Sequence, residues 1–139
     1  METKNTNALQ KLSVSIINVF FVLLLSIPSY IHYGFSVQYK LILVLIFLLY
    51  NLVFVFTTQN RCLGMILLNI YWKEDYPIKN QIIYVFLYTL SFSTAVIWVI
   101  FPFDLLLFNL LLIQLPFVLI TGTTAHGYFS GKMSGYKNY

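Results

Sequence analysis

Polar and apolar positions divide this chain into four long apolar runs separated by short polar ones. Residues 1–11, METKNTNALQK, form a polar leader. The first apolar run covers residues 12–31, with Ser13, Ser15, Asn18 and Ser26 inside it and Pro28 near its far end. A loop at 32–40 holds Gly34 among Tyr30, Tyr33 and Tyr39, and the second run follows at 41–56. The third and fourth occupy 82–101 and 105–120, joined by Pro102-Phe103-Asp104. A hydrocarbon core takes ~20 helical residues at ~1.5 Å each. The second run is short by that measure, so Tyr50 and Asn51 must be buried and Thr57 and Thr58 must reach the interface. The three-residue turn forces the third and fourth spans to pack as antiparallel neighbours. The pattern predicts an all-α membrane protein: one domain, 1–139, with four transmembrane helices arranged as two hairpins.

Between the hairpins, residues 57–79 break the apolar pattern. Arg61, Lys73, Glu74, Asp75 and Lys79 are charged, and Leu63, Met65, Ile66, Leu67, Leu68 and Ile70 lie between them. That apolar stretch is about half of the ~20 residues a crossing needs. The expectation is an interfacial amphipathic connector, with Tyr71 and Trp72 at headgroup level. The tail after residue 120 is polar and contains Gly122, Gly127, Gly131 and Gly135. The four-residue spacing of the last three would suit a close-packing helix face. Their polar surroundings favour a flexible or interfacial tail.

Composition supports lipid as the solvent. The chain is 60% hydrophobic and 9% charged, against roughly 25% charged residues in soluble domains. The formal net charge of +4 is scattered and forms no nucleic-acid patch; it is better read as membrane orientation. Leader, connector and tail carry Lys4, Lys11, Arg61, Lys73, Lys79, Lys132 and Lys137, whereas the two hairpin turns carry only Lys40. The positive-inside rule then puts both termini in the cytoplasm. The first run has no small-x-small cleavage site, so it is expected to be an uncleaved span and not a signal peptide. The bilayer is the partner the sequence names; a homo-oligomer or a membrane-protein partner stays open.

Candidate chemistry is sparse. No Gly-rich phosphate loop, nucleophile elbow or HExxH is present, so neither an enzyme nor a cofactor is expected. The single cysteine, Cys62, excludes an internal disulfide and is expected as a small apolar residue at the interface. His32 and His126 fall on opposite sides of the expected topology and read as interfacial hydrogen-bonding residues. Asp104 reads as a solvated turn carboxylate. The amides Asn18, Asn51, Asn109 and Gln114 lie within apolar runs and must face the bundle. They serve either as interhelical glue, the favoured reading, or as a polar path for a solute. No carboxylate lies deep in a span, which argues against a proton relay.

Three stretches resemble the RDD family of small bacterial membrane proteins. Members carry an arginine before the first span and an aspartate inside it, as in R-L-A-x-x-x-I-D. Lys11-Leu12-Ser13-Val14-Ser15-Ile16-Ile17-Asn18 has that spacing, with Lys11 in the arginine's place and Asn18 in the aspartate's. A family run like G-R-T-L-G-K is similar to Asn60-Arg61-Cys62-Leu63-Gly64-Met65. A C-terminal R-x-T-L-H-D-x-x-x-G is similar to Gly122-Thr123-Thr124-Ala125-His126-Gly127 with Gly131. The resemblance covers roughly residues 9–133. It implies a multi-pass protein of the bacterial inner membrane that contributes to transport of an unidentified solute. Both aspartates are replaced by uncharged residues here, and lysine cannot form arginine's planar bidentate pair. Any exchange activity that needs those carboxylates is therefore lost, which raises a second reading as a non-transporting scaffold or accessory subunit. The residues singled out are Lys11, Asn18, Arg61, Gly64, Asn109, Gln114 and His126.

Overall fold

The computed structural model describes residues 3–138 and is mostly helical. A short strand, β1 (Thr3–Asn5), precedes helix α1 (Ala8–Leu25). Asn7 fixes the helix start: its side chain accepts from the Gln10 amide at 2.8 Å, and Gln10 Oε1 accepts from the Asn7 amide at 3.1 Å. This reciprocal pair satisfies two otherwise orphaned donors. The first apolar run does not continue as one helix to residue 31. It breaks at buried Ser26, whose hydroxyl donates to the Leu23 carbonyl at 2.8 Å and pairs with Tyr39 at 2.9 Å. Pro28, which has no amide hydrogen, sits in the first turn of α2 (Ile27–Tyr33). Helix α3 (Val37–Thr58) extends the second run at both ends and starts where Ser36 caps the Tyr39 amide. Tyr50 is 7% exposed and Asn51 1%, as the shortness of that run required.

The connector departs from the expected surface-lying segment. It forms a one-turn helix, α4 (Leu63–Leu67), and a strand, β2 (Ile70–Trp72). Cys62, Met65 and Ile70 are buried in a small core with Val14, Phe54 and Trp72 packed around it. Protein, not lipid, covers these positions because Gly64 lets two backbones touch: a Cβ there would lie 2.5 Å from the Val14 carbonyl oxygen. Arg61 sets the exit, donating through Nε to the Ile70 carbonyl at 2.9 Å with its guanidinium 3.7 Å over the Tyr71 ring. Cys62, Met65 and Ile70 therefore pack inward while Ile66 and Leu67 stay exposed, and Cys62 is a core residue.

The tail is ordered as well. Thr124 caps α8 (Ala125–Phe129), accepting from the Gly127 amide at 3.3 Å. A strand, β3 (Gly135–Asn138), then pairs antiparallel with both β1 and β2 in the order β1-β3-β2. Lys4 stands opposite Lys137, and Tyr71 opposite Tyr136. Gly127 has no room for a side chain, because a Cβ would fall 2.8 Å from the Met133 carbonyl oxygen. The glycines expected to loosen the tail let it pack, and a small sheet joins an otherwise helical protein.

Helix α5 (Ile78–Val96) replaces the expected third span at 82–101, starting earlier and ending earlier. Residues 97–103 form the turn, where the Asp104 carboxylate accepts from the Val99 amide at 3.1 Å and the Ile100 amide at 2.6 Å. The chain returns as α6 (Asp104–Phe108), a π-helical turn at Asn109–Gln114, and α7 (Leu115–Thr121). Pro116 explains the π turn: it has no amide for the Leu112 carbonyl and its ring crowds that group. The Leu115 amide reaches back to the Leu110 carbonyl instead.

Among the described residues, three helices are long and apolar enough to cross a membrane: Ala8–Leu25, Val37–Thr58 and Asp104–Thr121. The expected third span is outside that class, because α5 carries Lys79, Asn80 and Gln81 at its start and Ser91, Ser93 and Thr94 near its end. The physical reason is position. Val85, Tyr88, Thr89, Phe92 and Val96 are buried, and Phe92 stacks on Phe47 at 4.1 Å. A helix walled by protein need not have lipid-like composition. Helices α1, α3 and α5 share one core, built on Val22, Leu43, Phe47, Tyr50, Tyr88, Phe92 and Val96. Along Asp104–Thr121 only Asn109 is buried, so that helix stands mostly outside the core.

Candidate functional site

Asn18 is fully buried and joins four parts of the chain. Its Oδ1 accepts from the Gly64 amide and from the Tyr50 hydroxyl, each at 3.0 Å. Its Nδ2 donates to Cys62 Sγ at 3.1 Å and to the Tyr88 hydroxyl at 3.4 Å. Tyr88 in turn donates to Ser15 Oγ at 3.0 Å. A carboxamide has two donor hydrogens and two acceptor positions, and all four are engaged. Gly64 belongs to this knot because only a glycine brings its amide so close to α1. Burial pushes the Cys62 thiol up, so the sulfur stays protonated and serves as a weak acceptor.

Asn109 and Gln114 bracket the π turn and hold the last helix to the bundle. Asn109 Nδ2 donates to Ser91 Oγ at 2.7 Å, and Gln114 Nε2 donates to Ser91 Oγ and to Asn109 Oδ1, each at 3.3 Å. Gln114 Oε1 accepts from the Ala125 amide at 3.0 Å, which ties α8 to the same helix. Arg61 is committed to β2 and lies outside both polar clusters.

Lys11 and His126 come together at a second place. Lys11 Nζ donates to the Thr6 carbonyl at 2.8 Å and to Thr6 Oγ1 at 2.5 Å. Among the described residues no carboxylate pairs with it. His126 is 8% exposed, so it is a core residue and not the interfacial group its sequence context suggested. Its ring stacks on Tyr88 at 4.8 Å and meets Tyr84 edge-on at 4.9 Å. Its Nδ1 is buried with no hydrogen-bond partner. Burial pushes its pKa down to about 3, which keeps the imidazole neutral at pH 7.

Lys11, Ser15, Tyr88, Thr124 and His126 line a small cavity of about 60 Å³ beside Cys62. The same five residues line one end of a groove of about 430 Å³ between α1 and the Asp104–Thr121 helix. Ser91 and Gln114 line it too, and the remaining wall is apolar, with Leu12, Leu110, Leu111, Leu115 and Val118. Its origin lies in the weak packing of the last helix: polar bonds pin that helix to α5 and leave a gap toward α1. Ser15, Tyr88 and Thr124 were not among the residues chosen from sequence. Ser15 lies three positions from Asn18, on the same helix face, and that spacing was the available signal. The pairing of α8 with α5 had no local signal.

Comparison with protein-family models, with curated proteins and with solved structures finds no match for this chain.

Proposed function

We propose that this is a four-span protein of the bacterial inner membrane, resembling the RDD family, that takes an amphipathic solute into the groove between α1 and the last helix. The sheet supports four crossings. Its three strands are bonded to one another, so leader, connector and tail share one side. A chain that leaves one side and returns to it crosses an even number of times. Helices α1 and α3 lie between β1 and β2, and α5 and the Asp104–Thr121 helix lie between β2 and β3. If the last helix crosses, α5 crosses too. At the opposite end, Trp98 lies 5.6 Å from the Phe35 ring and 4.5 Å from Lys40 Nζ, which supports a common far side for the two turns. Seven of the eight Lys and Arg residues are on the sheet side of that topology, which makes it cytoplasmic.

The family resemblance gains support from space. The three stretches that carry it converge: Asn18 holds Gly64, and Lys11 shares a cavity with His126. One observation carries the binding reading. The Asn18 amide is saturated, while the half-buried Lys11 ammonium, with no carboxylate partner among the described residues, lines a groove walled mainly by leucine and valine. Asn18 is thus glue, and no proton relay runs through it. A photoreactive benzoylphenylalanine in place of Leu111, irradiated in native membranes, tests this. A non-protein adduct of discrete mass is expected; adducts that mirror bulk phospholipid composition would contradict it. Transport of the bound solute is the second reading, favoured by the polar floor that runs from Lys11 past Tyr88 and Ser91 to Gln114. Flux in proteoliposomes separates transport from an accessory, binding-only role.

A further inference from the structure

We propose that the adjoining cavity and groove hold a single-chain anionic amphiphile, its carboxylate against Lys11 and its hydrocarbon tail along α1 and the Asp104–Thr121 helix. The proposal rests on the groove reading above and adds the chemical class of the occupant.

Charge is the first argument. An ammonium group has three donor hydrogens, and Thr6 takes two of those on Lys11. The third hydrogen and the ammonium charge have no carboxylate partner among the described residues. A half-buried cation in that condition is costly until an anion joins it. Lys73 is near enough for its charge to repel that of Lys11, which deepens the positive potential. His126 is neutral and adds no second charge, so the site balances one negative charge better than two.

Donor geometry is the second. Ser15 Oγ accepts from Tyr88, and Thr124 Oγ1 accepts from the Gly127 amide. Each hydroxyl keeps its own hydrogen to give. With Lys11, three donors line one small cavity, and a two-oxygen head can accept from all of them.

Shape is the third. The cavity of about 60 Å³ is well below the ~300–1,000 Å³ of typical ligand pockets. A compact head such as a carboxylate suits it better than a phosphoglycerol one. The groove of about 430 Å³ lies toward the lower end of the ~300–1,000 Å³ range of ligand pockets, which suits one chain better than two. Apart from Ser91 and Gln114, its remaining walls are mainly leucine and valine, with which a hydrocarbon tail is compatible.

The test uses the purified full-length chain in a nonionic detergent. Native mass spectrometry and thermal shift would measure binding of palmitate, hexadecanol, hexadecyl phosphate and phosphatidylglycerol. Palmitate should bind one per chain and about tenfold or more tighter than hexadecanol, the margin expected of a charge-assisted hydrogen bond. Lys11→Gln should reduce palmitate to the level of hexadecanol, while Lys11→Arg should keep its preference. Leu111→Trp, which fills the groove from its apolar wall, should abolish binding of both and keeps the test informative if Lys11→Gln does not fold. Equal binding of palmitate and hexadecanol, or palmitate binding unaffected by Lys11→Gln, would overturn the proposal. So would displacement of palmitate by phosphatidylglycerol or by hexadecyl phosphate. If a discrete adduct at Leu111 survives those results, the groove reading stands and only the class is wrong. Without that adduct both fall.

Discussion

Replacing Asn18 with leucine nearly preserves side-chain volume and removes every polar atom from a fully buried position that ties α1 to α3, α5 and the connector. An interhelical amide in a membrane protein is worth ~0.6 kcal/mol on average and under ~2 at most, which by itself predicts a small effect. The geometry raises it. Leucine would strand two buried donors, the Gly64 amide and the Tyr50 hydroxyl, both now 3.0 Å from Oδ1. Tyr88 would keep Ser15 at 3.0 Å, and Cys62 would lose only a weak contact. A stranded buried donor costs about 1–3 kcal/mol, so the two together should cost about 2–4 kcal/mol once partial relaxation is allowed. Equilibrium unfolding in mixed micelles, titrated with SDS, would measure it. Adding Tyr50→Phe removes one stranded donor, so the double variant should be less destabilised than the sum of the two single ones. A cost for Asn18→Leu below about 0.5 kcal/mol, or simple additivity with Tyr50→Phe, would refute the idea that this amide holds the bundle.

Three further outcomes follow from the same structure. Gly64→Ala would set a methyl group 2.5 Å from the Val14 carbonyl oxygen; forced backbone separation should cost about 1–3 kcal/mol, seen as a lowered unfolding midpoint. Cys62 is buried with its thiol pushed up by burial, so maleimide should modify it slowly in the folded protein and rapidly after unfolding. His126 has a folded pKa of about 3 against an ordinary value of 6.5. The unfolded chain therefore binds the extra proton first, and this contribution to stability is full above pH 6.5 and is lost as pH falls toward 3. His126→Phe should flatten the slope of stability against pH in that window, read by unfolding at several pH values.

Long apolar runs made the three helices fit to cross a membrane legible, because lipid-facing helices must be apolar along most of their length. The same rule put a lipid-type span at 82–101, where α5 runs Ile78–Val96. An inner helix is judged by its protein neighbours, so Gln81, Tyr88 and Thr89 could be polar and buried at once. The break at Ser26 was readable in part from Pro28, but the Tyr39 hydroxyl that stabilises it comes from another helix. Connector and tail were misjudged for one shared reason. Their strands are three and four residues long and pair across the whole chain, so no local alternation could announce the sheet. Gly127 shows the same limit: a glycine that loosens a chain and one that lets it pack look alike in sequence, and only the Met133 carbonyl beside it decides between them. Asn18 was singled out correctly as a bundle-facing amide, whereas the Lys11–His126 cavity required the fold that brings residues 11 and 126 to one place.

The proposed topology has four crossings with the sheet on the cytoplasmic side. In a Cys62→Ser background, single cysteines at Gly34, Glu74, Ile100 and Lys132 would be exposed to a membrane-impermeant maleimide in intact cells. All four positions are exposed in the folded chain. Gly34→Cys and Ile100→Cys should react from outside, while Glu74→Cys and Lys132→Cys should react only after permeabilisation. Labelling of Lys132→Cys in intact cells, with Glu74→Cys protected, would mean that α5 and the last helix do not both cross, and would contradict the account.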